Sequence, residues 1–233
     1  MPLPYTGQNG ELNFEADVVE LLKKARWEHE VLKNKTIPEL IDNWKDILFE
    51  RNRTTLNNVP LSSDEMDRVM DVVRLQANTP VKANHFVNGR PIAIKRDSDS
   101  PDKQHAGHEV YLDLFSATEI AGGSSRYQIA EQTYFSTDPQ FNDRRGDITL
   151  LINGMPVIHI ELKASGVNVY EASNQIVKYA NEGVWSGFMG LVQVFWAMTP
   201  EDALFFANAG NPTAFNSAFF FRWGDRDNNV IKD

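Results

Sequence analysis

Apolar residues in the first third of the chain recur at helical spacing. Between residues 12 and 33, Phe14, Val18, Leu21, Leu22 and Ala25 fall on one stripe, which predicts an amphipathic helix. A second helix is expected over residues 36–50, with Pro38 in its first turn, where its missing N–H is tolerated. "SSDEMDRVMDVVRLQAN" opens on a serine cap candidate, carries Glu65 shortly after it, and sets Met66, Val69, Met70 and Val73 on one face. This third helix should end before Pro80.

Beyond Pro80 the pattern shortens to β-type runs. "FVNGRPIAIKR" is expected as a hairpin, with Asn88-Gly89 supplying positive φ at the turn. "DSDSPDKQHAGH" is a polar loop. "EVYLDLFSA" and "YQIAEQTYF" are expected strands, and "RGDITLLINGMPVIHIELKAS" is a second hairpin. "YEASNQIVKYANEG" is a helix that Gly183 should end, and "GLVQVFWAMT", "DALFFANAG" and "AFFFRW" are expected closing strands. Helices first, then a mixed sheet with one inserted helix, give an α/β or α+β domain around a central sheet. The two Asn-Gly hairpins resemble each other, but two are too few for a repeat architecture.

Composition narrows the class. The 233 residues are 42% hydrophobic, with 14 Phe and 5 Trp, enough for a sizeable core in one large domain. No cysteine is present, which excludes disulfides and thiolate zinc sites and suits a reducing, cytoplasmic setting. No apolar run reaches roughly 18 residues, so no membrane span is expected, and the first residues lack a signal-peptide layout. The formal net charge of −9 argues against a free-standing DNA-binding module.

The second hairpin carries the candidate chemistry. Alternation puts Ile158, Ile160 and Leu162 on one face, and His159, Glu161 and Lys163 on the other. On the first strand, Ile148 and Leu150 share one face, and Asp147 and Thr149 the other. Opposed residues of an antiparallel pair share a face, and their numbers add to a constant. A clean two-residue Asn153-Gly154 loop makes that constant odd and separates Asp147 from Glu161. An even constant unites them. The cluster therefore requires a three-residue turn with Gly154 left-handed, or an equivalent bulge.

Two adjacent carboxylates repel, and a divalent cation removes that cost. Oxygen ligands without cysteine favour Mg²⁺, with Mn²⁺ as substitute, and the Leu162 carbonyl adds a third donor beside Asp147 and Glu161. Lys163 points to the same side, where it can position or help deprotonate the attacking water and offset phosphate charge. These are the parts of metal-assisted phosphodiester hydrolysis. The alternative at this point is a surface ion pair of Glu161 with Lys163 on a half-exposed strand.

Asp147 followed by Glu161-Leu162-Lys163 at the end of an apolar strand resembles the PD-(D/E)xK nuclease signature. "RRGDITLLINGMPVIHIELKAS" is more specifically similar to the N-terminal domain of type I restriction enzyme R subunits. That family also carries Gln-x-x-x-Tyr on the next helix, matched here by Gln175 and Tyr179, which begin twelve residues after Lys163 and share a helix face. "FEADVVELLKKARW" resembles the family's first helix. The resemblance implies an extra acidic residue near the metal, for which Glu15, at the edge of the apolar stripe, is preferred over Glu20. "YQIAEQTYF" resembles the strand before the site, with Gln132 at the family's usual glutamine, and "FNSAFFFRWGD" resembles its closing strand. One departure is Gly146, where the signature has proline; glycine is expected to loosen the backbone ahead of Asp147 without removing a ligand.

The resemblance implies a restriction-endonuclease-like central mixed β-sheet flanked by helices, with an N-terminal helical part. One nuclease domain would span residues 1–233, mainly helical over 1–80, with the sheet and active site in 81–233. It implies a Mg-dependent endonuclease that cuts duplex DNA without reading sequence. Asp147, Glu161 and Lys163 would be catalytic, and Gln175, Tyr179, Glu15 and Gln132 would support the site or position DNA. Partners would be duplex DNA and the modification and specificity subunits, with no membrane. No G-x-x-x-x-G-K-[ST] loop occurs, so ATP would belong only to motor domains elsewhere in a longer subunit, of which this chain would be a fragment cut within the charged tail "GDRDNNVIKD". Tethering to that motor would relieve the need for positive charge. A non-catalytic coupling module of the same complex and a stand-alone repair-type nuclease remain alternatives.

Other residues weigh less. His105 and His108 are three apart in a polar loop and are expected to be solvated. His159 is expected to make a structural hydrogen bond or meet a phosphate. Lys95, Arg96, Arg144, Arg145 and Lys178 are candidate phosphate contacts, and the aromatics of "FFFRW" are expected in core strands rather than stacked on bases. The tripeptide Arg145-Gly146-Asp147 is taken as chance.

Overall fold

Of the 233 residues, the computed structural model describes 5–7, 9–115, 123–136 and 144–224. Five helices and eight strands are named among them: α1 (Gly10–Lys24), β1 (Val31–Lys33), α2 (Ile37–Arg51), α3 (Ser63–Gln76), α4 (Pro80–Val87), β2 (Ile92–Lys95), β3 (Glu109–Leu112), β4 (Tyr127–Tyr134), β5 (Arg145–Ile152), β6 (Met155–Leu162), α5 (Val169–Asn181), β7 (Val194–Met198) and β8 (Ala203–Ala207). A six-stranded mixed sheet runs β1-β4-β5-β6-β7-β8, and β2 and β3 form a separate antiparallel pair. The β1–β4 and β6–β7 pairs are parallel and the rest of the large sheet is antiparallel. A parallel neighbour needs a crossover, and α5 lies between β6 and β7 in the chain to supply it. This is the expected restriction-endonuclease-like architecture of a mixed sheet flanked by helices.

Both faces of the sheet are covered. On one, Ile129, Ile148, Leu150, Ile160 and Leu162 pack against Phe14, Val18 and Val19 of α1. On the other, Leu151, Met155, Phe195 and Ala197 join a larger core with α2, α3 and α5. In α5, Val169, Ala172, Ser173, Ile176 and Tyr179 are buried at spacings that make one helical stripe. Thr36 caps α2 and Ser62 caps α3 through reciprocal bonds with Glu39 and Glu65.

Three sequence expectations change. The first helix stops at Lys24, Arg26 turns left-handed (φ 75°), and residues 31–33 pair with β4 inside the stretch expected to be helical. The Tyr127 carbonyl accepts from the Glu28 N–H at 2.7 Å, and Arg126 pairs with Glu28 at 2.8 Å. These contacts anchor the residues just before the short Val31–Lys33 strand beside β4. Leu21 is consequently 61% exposed, and Val19 is buried instead.

Next, "FVNGRPIAIKR" is not a hairpin. Thr79 caps α4, which Pro80 begins, and Asn88-Gly89 (Gly89 φ 85°) ends that helix. The strand that follows pairs with β3 across the polar loop. Finally, "AFFFRW" forms no closing strand: Ser217–Phe219 is a short 3-10 turn, and only Phe221 bridges to Phe205 of β8. Phe219, Phe221 and Trp223 are exposed rather than core residues. Ser116 and Ala117 of "EVYLDLFSA", and the charged tail from Asp225 onward, lie outside the described residues. No described helix is long and apolar enough to cross a membrane.

Candidate active site

The β5–β6 turn has two residues, Asn153 (φ 51°) and Gly154 (φ 80°), both left-handed as a type I′ hairpin requires. Its Ile152–Met155 and Leu151–Pro156 pairs keep the odd register of such a loop. A bulge then intervenes: Leu150 pairs with Ile158, so Val157 is the additional residue on β6. Pro156 stands beside it, and a residue without an N–H suits the point where the ladder is interrupted. Beyond the bulge, Thr149 opposes His159 and Ile148 opposes Ile160. The register is now even, which sets Asp147 and Glu161 on one face. The equivalent bulge, not a longer turn, supplies the parity.

That face is buried, not half-exposed. Asp147 is 8% exposed and Glu161 0%. Asp147 Oδ2 accepts from the Leu162 N–H at 2.7 Å. Glu161 Oε2 lies 3.1 Å from His159 Nε2, and His159 Nδ1 lies 3.2 Å from Thr149 Oγ1. Burial pushes the Asp147 carboxyl up to about 8, reinforced by the neighbouring charge of Glu161. Burial likewise raises Glu161 to about 8, against the opposing pull of Lys163. Burial lowers His159 to about 4, so its ring is neutral. A neutral ring satisfies both neighbours when Thr149 donates to Nδ1 and Nε2–H donates to Glu161.

Lys163 Nζ donates to the Leu162 carbonyl at 2.8 Å and stands 3.6 Å from Glu11 Oε1 and 3.8 Å from Glu161 Oε1. The last distance is beyond hydrogen-bond reach. Glu161 Oε1 is therefore a buried carboxylate oxygen with no hydrogen-bond partner. A buried carboxyl oxygen without a hydrogen-bond partner is an atom that a divalent cation would satisfy, so the residues fit such an ion. The donors are two carboxylates and the second lone pair of the Leu162 carbonyl. Among the described residues, no group of three or more His, Asp or Glu side chains is gathered as a metal cage.

The remaining expected residues fall around this point. Glu15 is buried on α1, and both its oxygens accept from Gln132 Nε2 at 2.9 and 2.7 Å. Burial raises Glu15 to about 7, opposed by the Gln132 bond and assisted by Asp147. Gln132 adopts φ 55° within β4, and the β4–β5 pairing skips it between Glu131–Ile148 and Thr133–Gly146. A non-glycine residue there costs about 1–2 kcal/mol, offset in part by its bond to a buried carboxyl. Glu20 instead faces Lys23 at the surface. Gln175 Nε2 donates to the Tyr179 hydroxyl at 2.8 Å, and that hydroxyl donates to the Arg145 carbonyl at 2.8 Å. The pair thus ties α5 to the backbone two residues before Asp147. Tyr179 is buried, and its phenol is raised by that burial and by Glu161.

Gly146 also meets a steric demand that the sequence did not suggest. A Cβ there would lie 2.3 Å from Phe135 Cζ and 2.5 Å from His159 Cε1. The glycine makes room for two rings. Thr149, which alternation places on the face of Asp147, was not expected to partner His159, and Glu11 was not anticipated at the site. Even parity alone would have placed Thr149 opposite His159; nothing in the sequence singles out Glu11. Of the candidate phosphate contacts, Arg96 is fully buried against Glu65 at 3.2 Å and Arg144 pairs with Glu182 at 2.6 Å, whereas Lys95, Arg145 and Lys178 are exposed. His105 is held by Asp102 at 2.7 Å.

A family model described as "Type I restriction enzyme R protein N terminus" matches residues 11–214. The chain belongs to this family. It is 28% identical over 221 residues to the type I restriction enzyme SsaAORF53P endonuclease subunit of Staphylococcus saprophyticus, covering 95% of this chain and 22% of the relative. It is 25% identical over the same length to the SauMSSORF170P endonuclease subunit of Staphylococcus aureus strain MSSA476, again covering 95% and 22%. The EcoprrI endonuclease subunit of Escherichia coli is 37% identical over 91 residues, which cover 38% of this chain and 29% of that one. The chain spans 22% of the length of the staphylococcal relatives it matches. As a member of this N-terminal family, it corresponds to the first region of type I endonuclease subunits.

Proposed function

We propose that this chain is the Mg²⁺-dependent endonuclease domain of a type I restriction R subunit, hydrolysing phosphodiester bonds of duplex DNA without reading sequence itself. The supporting observation is the bulge that brings Asp147 and Glu161 to one buried face, leaving Glu161 Oε1 without a partner beside Lys163. Asp147, Glu161 and the Leu162 carbonyl hold Mg²⁺, for which Mn²⁺ substitutes. When bound, the ion offsets charge on the scissile phosphate and favours ionisation of water. Lys163 orients the attacking water and neutralises a phosphate oxygen. The water oxygen adds to phosphorus and releases a proton to solvent, the bond from phosphorus to a sugar oxygen breaks, and that oxygen takes up a proton from solvent as it leaves. Glu15 and Gln132 stiffen the α1 side of the site, and Gln175 and Tyr179 hold the start of β5.

The residues act within one nuclease domain of a longer cytoplasmic subunit whose ATP-driven motor lies outside this chain. The modification and specificity subunits deliver the DNA. Tethering of this kind raises effective concentration without positive charge on the nuclease, in keeping with the net −9. The test is Lys163→Ala in the full-length subunit, assembled with its partners and given a supercoiled plasmid and ATP. The expected result is intact ATP hydrolysis with cleavage lost. Persistent cleavage would overturn the nuclease assignment.

A further inference from the structure

Among the buried groups, His159 does more than fill the core. Its ring is fully buried within a cage of aromatic residues, 4.9 Å from Trp185, 5.7 Å from Phe135 and 6.4 Å from Phe195 between ring centres. The cage fixes the plane of the ring, and Thr149 Oγ1 at 3.2 Å fixes which nitrogen faces it. The other nitrogen reaches Glu161 Oε2 at 3.1 Å. Of the two Glu161 oxygens, one is thereby held and the other, Oε1, is left without a hydrogen-bond partner. Lys163 stops 3.8 Å from that free oxygen. Gly146 belongs to the same device, because any Cβ there would lie 2.5 Å from the imidazole Cε1.

We infer that His159 is a positioning residue: it clamps Glu161 Oε2 so that Glu161 presents the single oxygen Oε1 to a divalent cation and cannot close a full ion pair with Lys163. The inference rests on the reading of Asp147 and Glu161 as cation ligands. Without the imidazole N–H, Oε2 becomes a second buried oxygen lacking a donor. The carboxylate then turns toward the Lys163 ammonium, which removes a ligand from the cation and a cation from the phosphate. Hydrogen-bond partners behind a ligating carboxylate typically contribute about 10–100-fold to metal affinity.

The experiment titrates Mn²⁺ into the 233-residue chain, following free Mn²⁺ by electron paramagnetic resonance, with thermal unfolding measured alongside. His159→Leu is expected to weaken binding about 10-fold or more. His159→Gln, which retains a side-chain N–H donor, should stay within about threefold of the parent, because the donor rather than the ring sets the affinity. Equal affinity in the parent and a folded His159→Leu variant would overturn this inference alone. If the parent binds no Mn²⁺, the nuclease reading falls and takes this inference with it. Should His159→Leu fail to fold, Thr149→Val decides. It keeps the ring and removes only the hydroxyl that orients it, and unchanged Mn²⁺ affinity there would overturn the clamp.

Discussion

Glu161→Gln removes a buried ionisable group while keeping its shape and an oxygen for the His159 N–H. Burial raises the Glu161 carboxyl from 4.5 to about 8. A carboxyl raised in the fold is favoured when protonated. Its contribution is therefore neutral below about 4.5, and the metal-free chain loses stability as pH climbs from there through about 8. Each pH unit in that interval is about 1.4 kcal/mol. At pH 7 the fold thus carries a cost on the order of 3 kcal/mol that glutamine does not incur. That is a large share of an ordinary stability of about 5–15 kcal/mol, and corresponds to roughly 10 °C in Tm for a chain of this size. Denaturant unfolding in EDTA from pH 5 to pH 8 measures it. The variant should match the parent near pH 5 and exceed it increasingly toward pH 8, while losing stabilisation by Mg²⁺. Parallel pH curves, or a variant less stable throughout, would refute the burial argument.

Tyr179→Phe removes the donor to the Arg145 carbonyl and the acceptor of Gln175. It should cost about 1–3 kcal/mol in chemical denaturation and lower cleavage by the assembled complex without altering ATP hydrolysis; unchanged stability would mean the tether carries no load. Gly154→Ala forces a left-handed alanine at φ 80°, with its Cβ 2.9 Å from Trp44 Cα and 2.8 Å from Cδ1. The backbone cost alone is about 1–2 kcal/mol, and a Tm equal to the parent's would show that α2 and the turn are not pressed together as described.

The elements legible in the sequence are those with a long period and a chemical boundary marker. Pro38, Ser62 with Glu65, and Gly183 each mark a helix end or start within a residue or two of where the pattern puts it. Short elements held by distant contacts were not legible. β1 is only three residues long, Val31–Lys33, and it is held in the sheet by partners nearly a hundred positions away, with Tyr127 and Arg126 fixing Glu28 just ahead of it. Asn88-Gly89 misled because left-handed backbone serves a helix end as well as a hairpin turn. "AFFFRW" misled because apolar side chains are not confined to cores.

At the site, parity reasoning isolated the one local feature on which the clustering of Asp147 and Glu161 depends. It could not choose between a longer turn and a bulge, since both change the count by one. The ligand-type residues were legible from type and spacing. The clamp behind them was less so. His159 was only one polar residue in an apolar strand until Thr149, Gly146 and Phe135 were seen around it.

Crystals of the chain soaked in Mn²⁺ and measured at the manganese absorption edge test the central claim most directly. The account predicts an anomalous peak bound by Asp147, Glu161 Oε1 and the Leu162 carbonyl, with Glu161 Oε2 still on His159. A peak confined to other sites, with Glu161 Oε1 closed onto Lys163, would contradict it.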